Sequence, residues 1–373
     1  MSKQEKQIIF NHVVLEGSAY EVGRLQGERM KAIPGAAAFF ASGRGAFSGE
    51  EMGRVFDLFD AHCPGINEEI RGVADGLNVP PAHIAYYAGT YLRSGHCSHW
   101  VALPSMTRNN HVLVGRSYEF SDAMDDLCLC TTRIHGKPAH VGFSTLLFGR
   151  GEGMNEHGLS VTTSSGGMPV GAVEGMRPPI QDGLHFWALV RALLDQCKNT
   201  EEALKLIEEI PVCSNPNLIV ADKQGNAALV EIFGPHKAVK RIDDAGSDRL
   251  LCSTNHFTLP KTREQDAGTM KNSRVRHRAI MAELEEKAPG LTLDDMKTWL
   301  STPYPDGLCC HFYEEFFGTL RAMVFDLTAG TLDVCFGSPM ANAWRRFDLS
   351  TTAHPGPYPA ILPRELTSPS FWQ

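Results

Sequence analysis

At Gly95 the chain changes character, and this change constrains the fold more than any other feature of its 373 residues. The residues before it read as mostly helical. Ser18–Lys31 sets Tyr20, Val22, Leu25 and Met30 among Glu and Arg at helical spacing, with Pro34 beyond as a stop. Ile66–Leu77 and Pro81–Leu92 are two further helices, joined at Asn78–Pro80. After Gly95 the pattern shortens to strands at His99–Ala102, His111–Gly115, Leu127–Ile134, His140–Ser144 and Gly158–Thr163. Turn signals at Asn109-Asn110, Gly136 and Asn155–Gly158 separate them. Helices return at Leu184–Gln196 and at Glu201–Glu209, the second behind Thr200 as N-cap. Strands follow at Asn217–Ala221, Ala227–Phe233 and Ala238–Ile242. Then come a helix at Lys271–Glu286 and a hairpin, Ala322–Leu327 with Thr331–Phe336, turned at Ala329-Gly330. Strands cluster with strands and helices with helices. Such an order builds layers, not alternating βαβ units, and two antiparallel sheets covered by helices fit it.

Charge narrows the function. Asp and Glu number 43 against 35 Lys and Arg, a net −8, with no Lys/Arg-dense stretch. Nucleic acid and anionic membrane partners are therefore disfavoured. No apolar run approaches the roughly 18 residues that cross a bilayer. The opening MSKQEKQIIFNH holds charges but no signal-peptide core. The expected location is the cytoplasm, where the ten cysteines stay reduced. Adjacent Cys309 and Cys310 should then pack in different surroundings. Gly149–Gly153 is glycine-rich but lacks the dinucleotide spacing, and neither a Walker sequence nor a Gly-x-Ser-x-Gly elbow is present.

The sharpest motif is Gly95-His96-Cys97-Ser98-His99-Trp100, where the helical region gives way to the first strand. A cysteine opening a strand is well placed to face a cleft; the plain alternative is a buried structural thiol. His96, Cys97 and His99 are spaced too tightly for a zinc site and no second ligand pair follows, so no metal is expected. Three further clusters lie at strand ends: Gly115–Phe120 with Arg116 and Glu119, Gly153–Leu159 with Asn155, and Ser253–Phe257 with Asn255. Singly, each has a plain explanation. Arg116 and Glu119 would form a surface pair, Asn155 would serve a turn, and Asn255 would cap a loop.

In this order, however, the clusters resemble one family, the acyl-coenzyme A:6-aminopenicillanic acid acyltransferase-like (isopenicillin-N acyltransferase-like) cysteine peptidases. These belong to the N-terminal-nucleophile hydrolases and are related to choloylglycine hydrolases. Gly17–Gly23 and Glu69–Gly76 resemble its propeptide-side helices. Gly115-Arg116, Gly153–Leu159, Leu189–Leu194, Thr254–Phe257, Asn272–Arg274 and the Val324–Gly337 hairpin with Pro339 continue the likeness over nearly the whole chain. The resemblance implies an α+β, four-layer αββα sandwich. It also implies a helical propeptide segment, 1–96, and a catalytic segment, 97–373, within one domain.

The chemistry it implies is self-cleavage between His96 and Cys97. The thiol attacks the preceding carbonyl, and water releases the resulting thioester. The freed α-amine of Cys97, with an ordinary pKa near ~7.7–8, then activates its own thiol. Asn255 is the implied oxyanion donor. Arg116 would orient the thiol or hold the amine's pKa down, and Glu119 would hydrogen-bond the α-ammonium. Ser165, Tyr118 and the pair Ser273 and Arg274 are implied substrate contacts, with Arg276 competing with Arg274 for register. Trp100, Tyr118 and Phe120 flank the site as an apolar acyl pocket or as core. His96 departs from the family's frequent glycine and would either slow the cut or assist it as a proton donor. The expected substrate is a small linear amide of an N-acylated amine, amino acid or short peptide, with no cofactor. The cleaved halves would form a heterodimer, open to further oligomerisation. Two alternatives stand beside this: an uncleaved, non-catalytic protein binding amides or amino acids, and a papain-like pairing of Cys97 with a distant histidine such as His256.

Overall fold

Two β-sheets stack face to face, with helices over both outer surfaces, in a computed structural model that describes residues 4–33, 35–42, 45–90, 95–171, 176–349, 355–368 and 371–372. The helices are α1 (Ala19–Lys31), α2 (Ala36–Ala41), α3 (Gly49–His62), α4 (Ile66–Leu77), α5 (Pro81–Thr90), α6 (Phe186–Gln196), α7 (Thr200–Glu209), α8 (Pro260–Arg263), α9 (Lys271–Lys287) and α10 (Leu293–Ser301). Strands β1 (Gln4–Gly17), β4 (Cys128–Ile134), β5 (His140–Thr145), β6 (Gly149–Arg150), β7 (Glu152–Asn155), β8 (Leu159–Ser165), β9 (Pro216–Asp222), β10 (Asn226–Phe233), β11 (His236–Asp243) and β17 (Gly356–Arg364) form the larger sheet. Its order is β11-β10-β9-β8-β7-β5-β4-β1-β17, with β6 beside β5. The smaller sheet holds β2 (His96–Ala102), β3 (Leu113–Phe120), β12 (Leu250–Ser253), β13 (His311–Phe312), β14 (Phe317–Asp326), β15 (Thr331–Phe336) and β16 (Trp344–Asp348). Here the order is β12-β2-β3-β14-β15-β16, with β13 beside β14.

Strand periodicity sorts the side chains into three interiors. Phe10, Val101, Val114, Phe143, Ile219 and Phe325 meet between the sheets. The other face of the larger sheet, with Val161, Val220 and Val230, packs under α4, α6 and α7 through Ile70, Leu189 and Leu204. The other face of the smaller sheet, with Trp100, Ala322 and Cys335, packs under α9 and α10 through Ile280, Leu284 and Trp299. The layers are α, β, β, α. Among the described strands all pairings are antiparallel except one: β1 runs parallel to β4, with Val13 opposite Cys130.

β1 is the main departure from a helical N-terminal region. Its Gln- and Lys-rich start obscures the alternation, and its buried residues, Phe10, His12, Val13 and Leu15, do not alternate cleanly. α1 follows with Ser18 as N-cap and Glu21 closing a capping box. Pro34 and Leu92, the expected ends of two helices, lie outside the described residues. The N-cap of α7 is Asn199, not Thr200: its side chain accepts from Glu202 N. The two motifs Gly17–Gly23 and Glu69–Gly76 meet where α1 crosses α4. A Cβ on Gly23 would stand 2.1 Å from Glu69 O, and one on Gly72 would stand 2.2 Å from Tyr20 O. Only glycine permits that approach. Cys309 and Cys310 do face different surroundings: Cys309 lies 3.4 Å from Ser338 Oγ, and Cys310 packs on Phe317 and Phe371.

Candidate active site

β2 and β3 pair antiparallel with Cys97 opposite Tyr118 and His99 opposite Arg116. Side chains alternate along each strand. Cys97, His99, Arg116 and Tyr118 therefore point between the sheets, while His96, Ser98, Trp100, Ser117 and Glu119 point to the opposite face. Arg116 and Glu119 are both buried and lie on opposite faces, so they form no surface pair.

Cys97 is buried and is one of the walls of a cleft of about 70 Å³. Arg116, Tyr118, Phe120, Asp125, Gly151 and Ser165 are among its walls, and among the described residues no histidine lines it. Trp100 packs instead beneath α9 and α10. Burial pushes the Cys97 thiol above its usual pKa. The charge and hydrogen bond of Arg116 pull it part of the way back, and the carboxylates of Glu119 and Glu152 oppose that pull.

The backbone of Cys97 is held from the far side of the sheet. Its N–H donates to Asn255 Oδ1 at 3.0 Å. Its carbonyl accepts from Arg276 Nη1 at 2.6 Å, and the same nitrogen donates to Ser98 Oγ at 2.8 Å. Arg276 Nη2 donates to Asn255 Oδ1 at 2.8 Å and to Asn272 Oδ1 at 3.0 Å. Asn272 and Arg276 share the inner face of α9, four residues apart; Arg274 is exposed on the outer face. The arginine at the site is thus Arg276, and Arg274 does not reach it. Ser273 lies behind the site: its hydroxyl accepts from Asn255 N at 2.8 Å and fixes the Thr254–Asn255 backbone. Asn255 Nδ2 donates to the Ser165 carbonyl at 3.2 Å.

Glu119 has no hydrogen bond to the Cys97 nitrogen, which Asn255 occupies. Its carboxyl takes bonds from Ser117 Oγ and, at 3.2 Å, from Thr319 Oγ1. Burial raises it above the usual carboxylate range in spite of Arg276, Ser117 and Arg116. His96 lies in an apolar box, its ring 4.4 Å from Phe317 and 5.9 Å from Trp372. Burial, with Arg276, pushes it down to about 3, so the ring is neutral at ordinary pH and is no proton donor as an imidazolium. His256 bonds to Ser273 Oγ at 2.8 Å and stays outside the cleft walls. His99 bridges Thr162 at 2.7 Å and Ser164 at 3.2 Å.

Sequence reasoning missed one part of the site. Glu152 accepts from Arg116 at 3.1 Å through Oε2 and from Arg321 Nε at 2.9 Å through Oε1. Arg321 Nη1 donates to Asp125 at 2.9 Å. These side chains are all buried or nearly so. The available signal was the alternation Gly149-Arg150-Gly151-Glu152-Gly153, since glycines within strands mark close approach of backbone or ligand. Among the described residues no group of three His, Cys, Asp or Glu side chains could hold a metal ion. Nor is any helix among them long and apolar enough to cross a membrane.

Solved structures similar to this chain include an acylase, an amidase orthologue and a bile acid hydrolase. Penicillin V acylase from Agrobacterium tumefaciens shares 18% identity over 68% of this chain and 86% of its own, with a TM-score of 0.44. The N-acylethanolamine-hydrolyzing acid amidase orthologue of Caenorhabditis elegans shares 16% over 62% and 93%, with a TM-score of 0.43. The conjugated bile acid hydrolase of Clostridium perfringens shares 12% over 73% and 99%, with a TM-score of 0.46. No curated protein matches the sequence. The family match is of a different kind: it runs over residues 105–341, more than half of the chain, starting beyond Cys97 and taking in Arg116, Glu152, Asn255 and Arg276. The chain is an enzyme that belongs to the acyl-coenzyme A:6-aminopenicillanic acid acyl-transferase family.

Proposed function

We propose that the chain cuts itself between His96 and Cys97 and then acts as a cysteine amidohydrolase or acyltransferase on a small linear amide. The observation that carries this reading is the grip on Cys97: Asn255 holds its nitrogen, Arg276 its carbonyl and Arg116 its sulfur, in the wall of a cleft. In the cut, Cys97 sulfur adds to the His96 carbonyl carbon, the C–N bond breaks, and the nitrogen leaves as an amine with the thiol proton. Water then hydrolyses the thioester, leaving a His96 carboxylate and a free Cys97.

Burial raises the pKa of the thiol, so a base is needed, and among the described residues no histidine lines the cleft. The freed α-amine supplies one near neutral pH, and the like charge of Arg116 lowers its pKa further. The amine takes the thiol proton, the sulfur attacks the substrate carbonyl, and the tetrahedral intermediate expels the substrate amine with that proton. The acyl-enzyme passes to water or to a second acceptor. Asn255 Nδ2, at the Ser165 edge of the cleft, is the proposed donor to the oxyanion. The substrate class is the N-acylated amine, amino acid or short peptide, and we place the enzyme in the cytoplasm, where its ten thiols stay reduced.

Cutting would not release residues 1–96. β1 is hydrogen-bonded between β4 and β17, and Glu69 of α4 forms a buried ion pair with Arg191 of α6. The two segments remain one domain, a heterodimer of a single gene product's halves. Intact-mass measurement tests the proposal. Wild type should give a fragment ending at His96 and another beginning at Cys97, while Cys97→Ala stays whole. A wild type that stays whole yet hydrolyses amides rules out the α-amine mechanism.

A further inference from the structure

Behind the cleft wall lies a buried donor that the chemistry above does not use. Arg321 is fully buried, and its Nη2 has no hydrogen-bond partner among the described residues, although Nε and Nη1 are bound to Glu152 and Asp125. The guanidinium lies 3.7 Å from the Tyr118 ring centroid. Tyr118, Asp125 and Gly151 are all walls of the Cys97 cleft, so Arg321 stands directly behind them. Residue 151 is the opening. A Cβ built there would lie 3.6 Å from Arg321 Nη2 and 3.0 Å from Thr145 Oγ1. With glycine at that point no side chain stands between the cleft wall and the free N–H. An unpaired buried guanidinium hydrogen costs free energy, and a substrate atom that pairs with it recovers that cost on binding.

The geometry points to Arg321 as a specificity-determining residue that donates, past Gly151, to a neutral oxygen on the substrate's acyl arm. Resting on the amide reading above, this sets the substrate class as amides whose acyl chain carries an ether, hydroxyl or carbonyl oxygen. Charge selects a neutral acceptor. The guanidiniums of Arg116 and Arg321 already face the carboxylates of Glu152 and Asp125. A substrate carboxylate would add a further negative charge beside those two acids, whereas a neutral oxygen would not. The acyl arm is the part concerned because it stays on the sulfur, in the same cleft as Gly151, after the amine has left. Glu152 bridges the two guanidiniums, so the free N–H of Arg321 lies one ion pair further from the sulfur than Arg116 does.

The test uses p-nitroanilides in matched pairs, with one oxygen replacing one methylene and stepping along the chain: methoxyacetyl against butanoyl, 3-methoxypropanoyl against pentanoyl, 4-methoxybutanoyl against hexanoyl. At one step wild type should favour the oxygen member by about tenfold in kcat/KM, the yield of one well-placed buried hydrogen bond. Arg321→Gln should bring that ratio close to one. Gly151→Ala, whose methyl would stand against Nη2 and leave the ion-pairing Nε and Nη1 in place, should do the same even if the arginine variant fails to fold. No step above twofold in wild type, or a preference that survives Gly151→Ala, overturns the inference. Calorimetry of the corresponding primary amides on Cys97→Ala protein reads the same contact without turnover. A preference there with no hydrolysis by wild type would sink the reaction and leave the Arg321 contact standing; parity there removes the contact.

Discussion

Glu152→Gln is the most informative single change, because one buried carboxylate holds two buried guanidiniums. The carboxylate oxygens lie 3.1 Å from Arg116 Nη2 and 2.9 Å from Arg321 Nε. At an effective dielectric near 20, each contact amounts to about 5 kcal/mol of attraction, most of it offset by the desolvation of both partners. Removing the charge strands Arg116, since the remaining acid, Asp125, pairs only with Arg321. Glutamine keeps one acceptor oxygen and turns its N–H₂ towards the second guanidinium, so a donor meets a donor. The expected loss is about 3–5 kcal/mol, a large part of the ~5–15 kcal/mol that holds an ordinary domain together. Urea unfolding followed by tryptophan fluorescence measures it. A second readout is chemical. The Glu152 charge is one of the groups that push the Cys97 thiol up, so alkylation of Cys97 should shift to lower pH in the variant. A stability loss under about 1 kcal/mol, the range of exposed pairs, or a shift to higher pH would refute this account of the cluster.

Two other outcomes follow from the same contacts. Asn255→Ala removes the proposed oxyanion donor and should cut kcat by roughly 10²–10³-fold; with folding checked by circular dichroism, a loss under tenfold assigns the donor elsewhere. Acid should weaken the fold. Burial pushes His96 down to about 3 and His185 and His256 to about 4, against about 6.5 in an unfolded chain. As pH falls from about 6.5 towards 4, the unfolded chain takes up protons that the folded chain refuses, so stability is lost across that window. His185→Gln should flatten the dependence by up to about 1.4 kcal/mol per pH unit; an unchanged slope in urea titrations at pH 7, 6 and 5 would show that His185 is not the group refusing the proton.

The layered sandwich was legible because buried strands and amphipathic helices carry different periods, and those periods changed together at Gly95. Cys97, Arg116 and Asn255 were legible as motifs at strand ends, and the structure brings all three together. Arg276 was not resolved from Arg274 because helix phase decides which of two arginines faces inward, and a two-residue difference rotates a side chain to another face. Glu119 faces away from the thiol for the same reason in a strand: three residues from Arg116 is the opposite side of the sheet. Glu152, Arg321 and Asp125 come from three distant parts of the chain. Only the stacking of one sheet on the other brings them together, and no local pattern encodes that. β1 was hidden because its pairing partners, β4 and β17, lie more than a hundred residues away.

The position of β1 has a consequence for the order of events. A polypeptide begun at Cys97 would lack a strand from the interior of its larger sheet and would expose bare edges on β4 and β17, an invitation to intermolecular pairing. For the proposed cut, the whole chain must therefore assemble first and be nicked afterwards. Once nicked, it is a two-chain object whose halves cannot find each other again at a rate independent of concentration. The uncut chain should refold from urea unaided, whereas the cut one, once opened, is committed to loss.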